Sequence, residues 1–157
     1  MSIQVKNNGG NMHPSVLLHG RGTLILERGS AIRANSIIEL GSGVLRMGKN
    51  SVLGYFSFIQ GSGEVNIGNG SLIGPHCCLI ASSHIATKKS TLLASGMKRG
   101  KITICDDIWI GANCTINYNV TLNNGCVIGA NSFVNKDVPE FQIWAGSPAR
   151  YIKDVEI

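Results

Sequence analysis

Residues 104–138 read ICDDIW IGANCT INYNVT LNNGCV IGANSF VNKDV, and an aliphatic residue opens every group of six. These aliphatic residues are Ile104, Ile110, Ile116, Leu122, Ile128 and Val134. The residue four places after each is small or apolar: Ile108, Cys114, Val120, Cys126, Ser132 and Val138. A period of six is neither the 3.6 of an α-helix nor the 2 of a single strand. It predicts short strands separated by corners, with three groups of six closing one triangular coil. Cys114 and Cys126 are then predicted to be buried packing residues.

The first half of the chain carries the same unit with small insertions. Three triplets flanked by glycine begin the copies: Gly20-Arg21-Gly22, Gly41-Ser42-Gly43 and Gly61-Ser62-Gly63. Inside the copies the aliphatic positions align, as Leu26, Met47 and Ile67 do. Repeats of this length predict a solenoid in which each coil buries the apolar edge of its neighbour.

We therefore predict one all-β domain over residues 1–157, a parallel β-helix of about five coils. Residues 1–19 are less regular and are predicted to form an N-terminal cap or partial coil. The pattern stops over residues 85–103, which predicts one long protruding loop, and loops of this length inside a strict solenoid are usually functional. Residues 139–157 are predicted to form a short C-terminal tail.

Composition and charge exclude several classes of protein. Charged residues make up 15% of the chain and the net charge is +5, with no basic stripe of the kind that binds nucleic acid. No apolar run is long enough to span a membrane, and the N-terminus lacks the apolar core of a signal peptide. Five cysteines, without the spacing of a metal site, indicate a reducing compartment. We therefore expect a cytoplasmic protein that has neither a membrane span nor a bound metal.

Three motifs together resemble the maltose and galactoside O-acetyltransferase branch of the hexapeptide-repeat acyltransferase family. They are residues 73–84 before the long loop, residues 108–112 after it, and the Gly146-Ser147-Pro148-Ala149-Arg150 segment. The resemblance covers about residues 65–153. It implies that the coils are left-handed, that acetyl-CoA is the co-substrate, and that the protein is a homotrimer with active sites between subunits. The apolar side chains of Trp109, Ile143 and Trp144, predicted to point outward, favour such an assembly because they are costly to leave in water.

His84 is the predicted catalytic base. It closes the last group of six before the loop, where the family places its catalytic histidine, and an imidazole suits deprotonation of a hydroxyl near neutral pH. The resemblance also implies that the Ala112 N–H holds the thioester oxygen and that Trp109 lines the channel from a neighbouring subunit. The further residues that it places along the acetyl-CoA path are Gly111, Ala130, Asn135, Lys136, Arg150 and Lys153. Asn135 stands where relatives often have threonine.

The predicted acceptor side departs from the family pattern. That branch has an asparagine-containing strand facing the sugar, whereas this chain has Tyr55 and Phe56 there. His76, at a corner one strand before His84, is also predicted to face the acceptor. We predict a hydroxyl of a sugar or glycan intermediate as the acceptor, and the acyl chain length stays open.

The alternatives are an N-acetyltransferase of an amino sugar, a serine O-acetyltransferase, or a non-catalytic β-helix scaffold. A zinc lyase resembling the γ-class carbonic anhydrases is disfavoured, because no histidine follows His84 to complete a three-histidine site.

Overall fold

The structure, a computed structural model, describes residues 2–156. The chain winds into a three-sided prism in which each side is a sheet of short parallel strands, numbered along the chain. Face A contains β1 (Gln4–Asn7), β4 (Thr23–Leu26), β7 (Val44–Met47), β10 (Glu64–Ile67), β15 (Lys101–Ile104) and β18 (Val120–Leu122). Face B contains β2 (Asn11–Met12), β5 (Ala31–Ile32), β8 (Val52–Leu53), β11 (Leu72–Ile73), β16 (Trp109–Ile110), β19 (Val127–Ile128), β21 (Gln142–Gly146) and β22 (Ala149–Asp154). Face C contains β3 (Leu17–His19), β6 (Ile37–Glu39), β9 (Phe58–Gln60), β12 (Cys78–Ile80), β17 (Thr115–Ile116) and β20 (Phe133–Val134).

The aliphatic repeat fills the interior of the prism, as predicted. The six aliphatic residues that open the groups in residues 104–138 are each no more than 1% exposed, and they pair in register with their equivalents in neighbouring coils. Cys114 and Cys126 are also buried. The all-β solenoid is therefore confirmed, and burial of these stacked ladders is the main force that holds it together.

The solenoid has six three-sided coils, more than the predicted five, because residues 4–19 form a coil and not a cap. Strands β1, β2 and β3 pair in parallel with β4, β5 and β6. This coil has a neighbour on one side alone, so fewer of its positions need aliphatic residues. Met12 and Leu18 are among its apolar residues that pack on the core. Its irregular sequence reflects its place at the end of the stack.

The predicted loop of residues 85–103 is shorter than expected at its C-terminal end. Lys101 and Ile102 belong to β15, and Ile102 is fully buried opposite Val65. The strands of face A carry two inward residues, and in β15 only the second of them, Ile104, opens a group of six. Lys101 lies on face A with its Nζ 3.4 Å from the Glu64 Oε1.

The excursion from the solenoid is an arm formed by residues 82–100. Strands β13 (Ser82–His84) and β14 (Met97–Arg99) pair antiparallel, and a short helix α1 (Leu92–Ser95) lies between them. Thr91 caps this helix by accepting a hydrogen bond from the Ala94 N–H at 3.3 Å. In residues 2–156 no helix is long and apolar enough to cross a membrane.

The predicted C-terminal tail extends face B. Strand β21 pairs parallel with β19, and β22 folds back antiparallel on β21. Trp144 is in register with the inward Ile128 and packs against the core, so the prediction that it points outward was wrong. Its indole Nε1–H donates to the Gln142 Oε1 at 2.9 Å. The last open coil needs a large side chain to cover its interior, which is the role of Trp144.

Candidate active site

His84 ends β13 at the corner where face C turns into face A, which we call corner CA. The backbone pairs His84 with Met97 of β14, and the next residue, Ile85, donates its N–H to the Gly96 carbonyl at 3.1 Å. The residue is exposed, and within residues 2–156 its imidazole has no hydrogen-bond partner. The arm therefore fixes the backbone of His84 and leaves both ring nitrogens available.

Ala112 lies at the next corner, where face B turns into face C, which we call corner BC. Its N–H donates to no acceptor within the described residues, whereas the Gly111 N–H before it and the Asn113 N–H after it bond to Ile128 and Pro75. The carbonyl oxygen of Gly111 accepts from the Cys77 Sγ at 3.2 Å. The Ala112 N–H is free, while the residues before and after it are fixed by hydrogen bonds. A free N–H on a fixed backbone is the type of group that stabilises a developing oxyanion.

The predicted acceptor residues Tyr55, Phe56 and His76 lie on corner BC, in the two coils before Ala112. The rings of Phe56 and His76 are stacked, with centroids 5.2 Å apart and planes 4° apart. Both residues have positive φ angles, 56° and 58°. Other coils have asparagine at this corner position: Asn35, Asn113 and Asn131.

The two aromatic residues are therefore strained. A left-handed conformation costs an ordinary residue about 1–2 kcal/mol, and asparagine tolerates it better. Strain of this kind is often kept at functional sites.

Trp109 points outward from face B and is 59% exposed. It belongs to a row of apolar side chains that lie in register up this face: Val52, Leu72, Trp109, Val127 and Ile143. Face C has a second outward row that is apolar except at Thr115: Leu17, Ile37, Phe58, Cys78, Thr115 and Phe133. Face A is more polar on its outside, with Glu64, Asn66 and Lys101 among its outward residues. Two faces of the prism thus carry apolar stripes that the single chain leaves partly uncovered.

The remaining residues predicted for the acetyl-CoA path divide between two corners. Gly111 and Ala130 lie at corner BC, and Arg150 lies in β22 at the end of face B. Asn135 and Lys136 follow β20 and therefore lie at corner CA, two coils after His84.

Two of the predicted cations are already engaged within the chain. The Lys153 Nζ lies 2.5 Å from the Glu156 Oε1, and the Arg150 Nη1 donates to the neighbouring Ala149 carbonyl. Lys136 is exposed and makes no ion pair within residues 2–156, so it is the better placed of these cations to meet a phosphate.

A single chain does not bring the predicted base and the predicted oxyanion donor together. Face C separates corner BC from corner CA, and the six residue steps from Pro75 to Ala81 along it span about 20 Å. One set of residues, at corner BC, includes Ala112, Ala130 and His76, and the other, at corner CA, includes His84 and Lys136. Each set alone is an incomplete acyl-transfer site.

A pocket of about 660 Å³ lies at the C-terminal tail and contains none of the predicted site residues. Its lining residues are Glu140, Phe141, Asp154, Val155 and Glu156. Three carboxylates would repel the phosphates of CoA, so this pocket is not a site for that ligand. Within residues 2–156 no group of three or more histidine, cysteine or acidic side chains could hold a metal ion.

The contact that sequence reasoning missed is the hydrogen bond from Cys77 to Gly111. In the repeated unit Cys77 occupies the same small inward position as Ser36 and Ser57 of the two preceding coils. All three donate to carbonyl oxygens at corner BC, where the pattern predicted packing alone. The recurrence of serine and cysteine, instead of alanine, at these positions is the signal that could have revealed them as donors.

Comparison with known proteins identifies the family. Residues 101–136 match the family described as bacterial transferase hexapeptide (six repeats). The galactoside O-acetyltransferase of Escherichia coli (strain K12) is 33% identical over 150 residues, which cover 91% of this chain and 72% of that protein.

Two solved structures share the fold. A hexapeptide-repeat acetyltransferase from Vibrio cholerae O1 biovar eltor, complexed with acetyl coenzyme A, is 30% identical with a TM-score of 0.71, over 82% of this chain and 72% of that one. The N-acyltransferase AntD from Bacillus cereus has a TM-score of 0.83 over 98% of this chain and 84% of that one, but at 20% identity it shows the fold alone. The identity to the two acetyltransferases agrees with the predicted branch. The chain belongs to the bacterial hexapeptide-repeat transferase family and is an acetyltransferase.

Proposed function

We propose that this acetyltransferase moves the acetyl group of acetyl-CoA to a hydroxyl of a sugar or glycan intermediate, with His84 as the general base. The observation that carries the proposal is the position of His84, exposed at the root of the arm and one coil before Ala112. The identity to a galactoside O-acetyltransferase supports a hydroxyl as the acceptor.

In the proposed reaction His84 takes the proton of the acceptor hydroxyl as its oxygen attacks the thioester carbon. The carbonyl oxygen becomes negatively charged, and the Ala112 N–H stabilises it. The C–S bond then breaks, the ester forms, and the proton passes from the imidazolium to the CoA thiolate. The chain needs no other covalent chemistry, because acetyl-CoA supplies the activated acyl group.

The residues at corner BC fit a CoA arm. The glycine and alanine residues there leave the backbone accessible, and the free Ala112 N–H is a donor for the thioester or amide groups of that arm. We propose that Trp109, Gly111 and Ala130 line the path. Asn135 and Lys136 would lie near the pantetheine and its phosphates, and Arg150 and Lys153 near the nucleotide.

We propose a homotrimer in which each active site lies between two subunits. A closed cyclic assembly uses two different patches of each chain, and faces B and C carry the two apolar stripes. Because the rotation axis is parallel to the prism, equivalent residues of the three copies lie at the same height along it. We propose that each site takes His84 from one copy and Ala112, one coil further along the prism, from the next.

We expect the enzyme to work in the cytoplasm, where acetyl-CoA is made. All five cysteines are free thiols, as a reducing compartment requires.

The direct test is release of CoA from acetyl-CoA in the presence of sugars, nucleotide sugars, amino sugars and serine. We expect turnover with a hydroxylated sugar and formation of an O-acetyl ester that mild base removes. Turnover confined to an amino group or to serine would replace the proposal with one of the two alternatives. Absence of turnover with every acceptor would contradict it.

A further inference from the structure

The Gly111–Ala112 peptide is held from inside the prism by a side chain of the preceding coil. The Cys77 Sγ lies 3.2 Å from the Gly111 oxygen, and Cys77 is completely buried. The same peptide unit carries the Ala112 N–H. Because a trans peptide is planar and its C=O and N–H point in opposite directions, a bond that fixes the Gly111 carbonyl also fixes the direction of the Ala112 N–H.

This bond is one member of a series at corner BC. In four successive coils a small inward residue donates to a corner carbonyl of the next coil. The pairs are Ser36 to Gly54 at 3.1 Å, Ser57 to Gly74 at 3.4 Å, Cys77 to Gly111 at 3.2 Å, and Cys114 to Gly129 at 3.1 Å. The series shows that donation to the corner carbonyl is a regular feature of the fold. Its third member contacts the peptide that the proposed reaction uses.

The Cys77 thiol is kept in its donating form. The neighbouring Cys114 thiol and the burial of Cys77 raise the pKa of Cys77 above the ordinary value of a thiol. The Cys77 side of the bond is closed to water, because Cys77 is completely buried. An S–H is nonetheless a weaker donor than a hydroxyl.

We infer that Cys77 is a positioning residue for acyl transfer, whose S–H holds the Gly111 carbonyl and thereby directs the Ala112 N–H toward the thioester oxygen. The inference rests on the proposed function, because it assumes that Ala112 is the oxyanion donor. Cys77 would not touch the substrate. Its effect would be to keep the Ala112 N–H aligned before negative charge develops on the thioester oxygen. A donor that had to reorient during the reaction would slow it.

Cys77→Val tests the inference, because valine resembles cysteine in volume and cannot donate. We expect kcat to fall about tenfold, less than the 100- to 1,000-fold that follows loss of an oxyanion donor, while the KM for acetyl-CoA stays within about twofold. Cys77→Ser restores a donor at a position where Ser36 and Ser57 already do the same, and it should recover most of kcat. Ser51→Ala is the control, because Ser51 is equally buried and donates to the Gly48 carbonyl at 2.7 Å, at the corner between faces A and B.

The outcomes separate the inference from the function on which it rests. A wild-type protein that transfers acetyl to no acceptor would remove the proposed function before any variant is compared. If the wild type is active and Cys77→Val has a normal kcat, the inference is overturned and the proposed function stands. Equal losses of kcat in Cys77→Val and Ser51→Ala would have the same meaning. If Cys77→Val does not fold, Cys77→Ala measured against Cys77→Ser decides by the same criterion, since both are smaller than cysteine and only serine can donate.

Discussion

The imidazole of His76 lies parallel to the ring of Phe56, 5.2 Å away, and both residues hold left-handed backbone conformations. The two residues come from successive coils, and the His76 N–H donates to the Tyr55 carbonyl at 2.9 Å. The stack therefore forms a rigid aromatic surface on corner BC, in the coils directly before Ala112. A flat apolar surface with a polar edge suits the face of a sugar ring.

Phe56→Asn should weaken acceptor binding without unfolding the protein. The substitution loses the aromatic pair, worth about 0.5–1.5 kcal/mol, and relieves backbone strain of about 1–2 kcal/mol, so the two effects nearly cancel in the free energy of unfolding. We expect the KM for the acceptor to rise while the melting temperature changes little. Steady-state kinetics and thermal denaturation measure the two quantities.

Phe141→Asn is the control for Phe56→Asn. Phe141 also has a positive φ, 55°, but lies at the corner between faces A and B, away from the stack. Its replacement should leave the acceptor KM unchanged. Equal effects of the two substitutions on KM would show that the stack has no special role in binding.

Trp109→Glu should dissociate the proposed trimer. The indole lies in the middle of the outward row on face B, next to Leu72, and a carboxylate buried there against another subunit would be unpaired. Sedimentation velocity should show a smaller species with greatly reduced activity. Arg46→Ser, on the outside of face A, should leave the assembly intact, and an active monomer of either variant would contradict an active site shared between subunits.

Lys136→Ala should raise the KM for acetyl-CoA by about tenfold and leave kcat nearly unchanged, because a phosphate contact is far from the reacting carbon. Lys49→Ala is the control, since Lys49 is an exposed lysine at the corner between faces A and B. A fall in kcat with an unchanged KM would show that Lys136 acts on the chemical step and not on cofactor binding.

The sequence was sufficient to predict the solenoid, since a period of six determines which side chains enter the core, and those residues are buried. It was less informative at the ends of the stack. Residues 4–19 and Trp144 contact a neighbouring coil on one side alone, so their sequence does not have to repeat. The resumption at Lys101 was missed because Ile102 is the inward residue of β15 that precedes the first complete group of six, which opens at Ile104.

The candidate site was only partly predictable. The motifs indicated His84 and Ala112, but the sequence did not show that a full face of the prism separates them in one chain. The hydrogen bond from Cys77 was also hidden, because serine and cysteine satisfy the same requirement for a small inward residue. The identity of the acceptor was not predictable, because the proposed acceptor surface is where this chain departs from the family pattern.

His84→Ala should abolish acetyl transfer and preserve the fold. Removal of a general base typically costs about 100- to 10,000-fold in rate, and the exposed imidazole supports no buried ladder of the solenoid. Binding of CoA, measured by calorimetry, and the sedimentation of the protein should be unchanged. His76→Ala is the matched control, because His76 lies at corner BC in the coil directly before Ala112 in the same chain. It should raise the acceptor KM and keep most of kcat. If His84→Ala had near-normal kcat and His76→Ala were inactive, the base would lie at corner BC, and a single chain would contain both the base and the oxyanion donor.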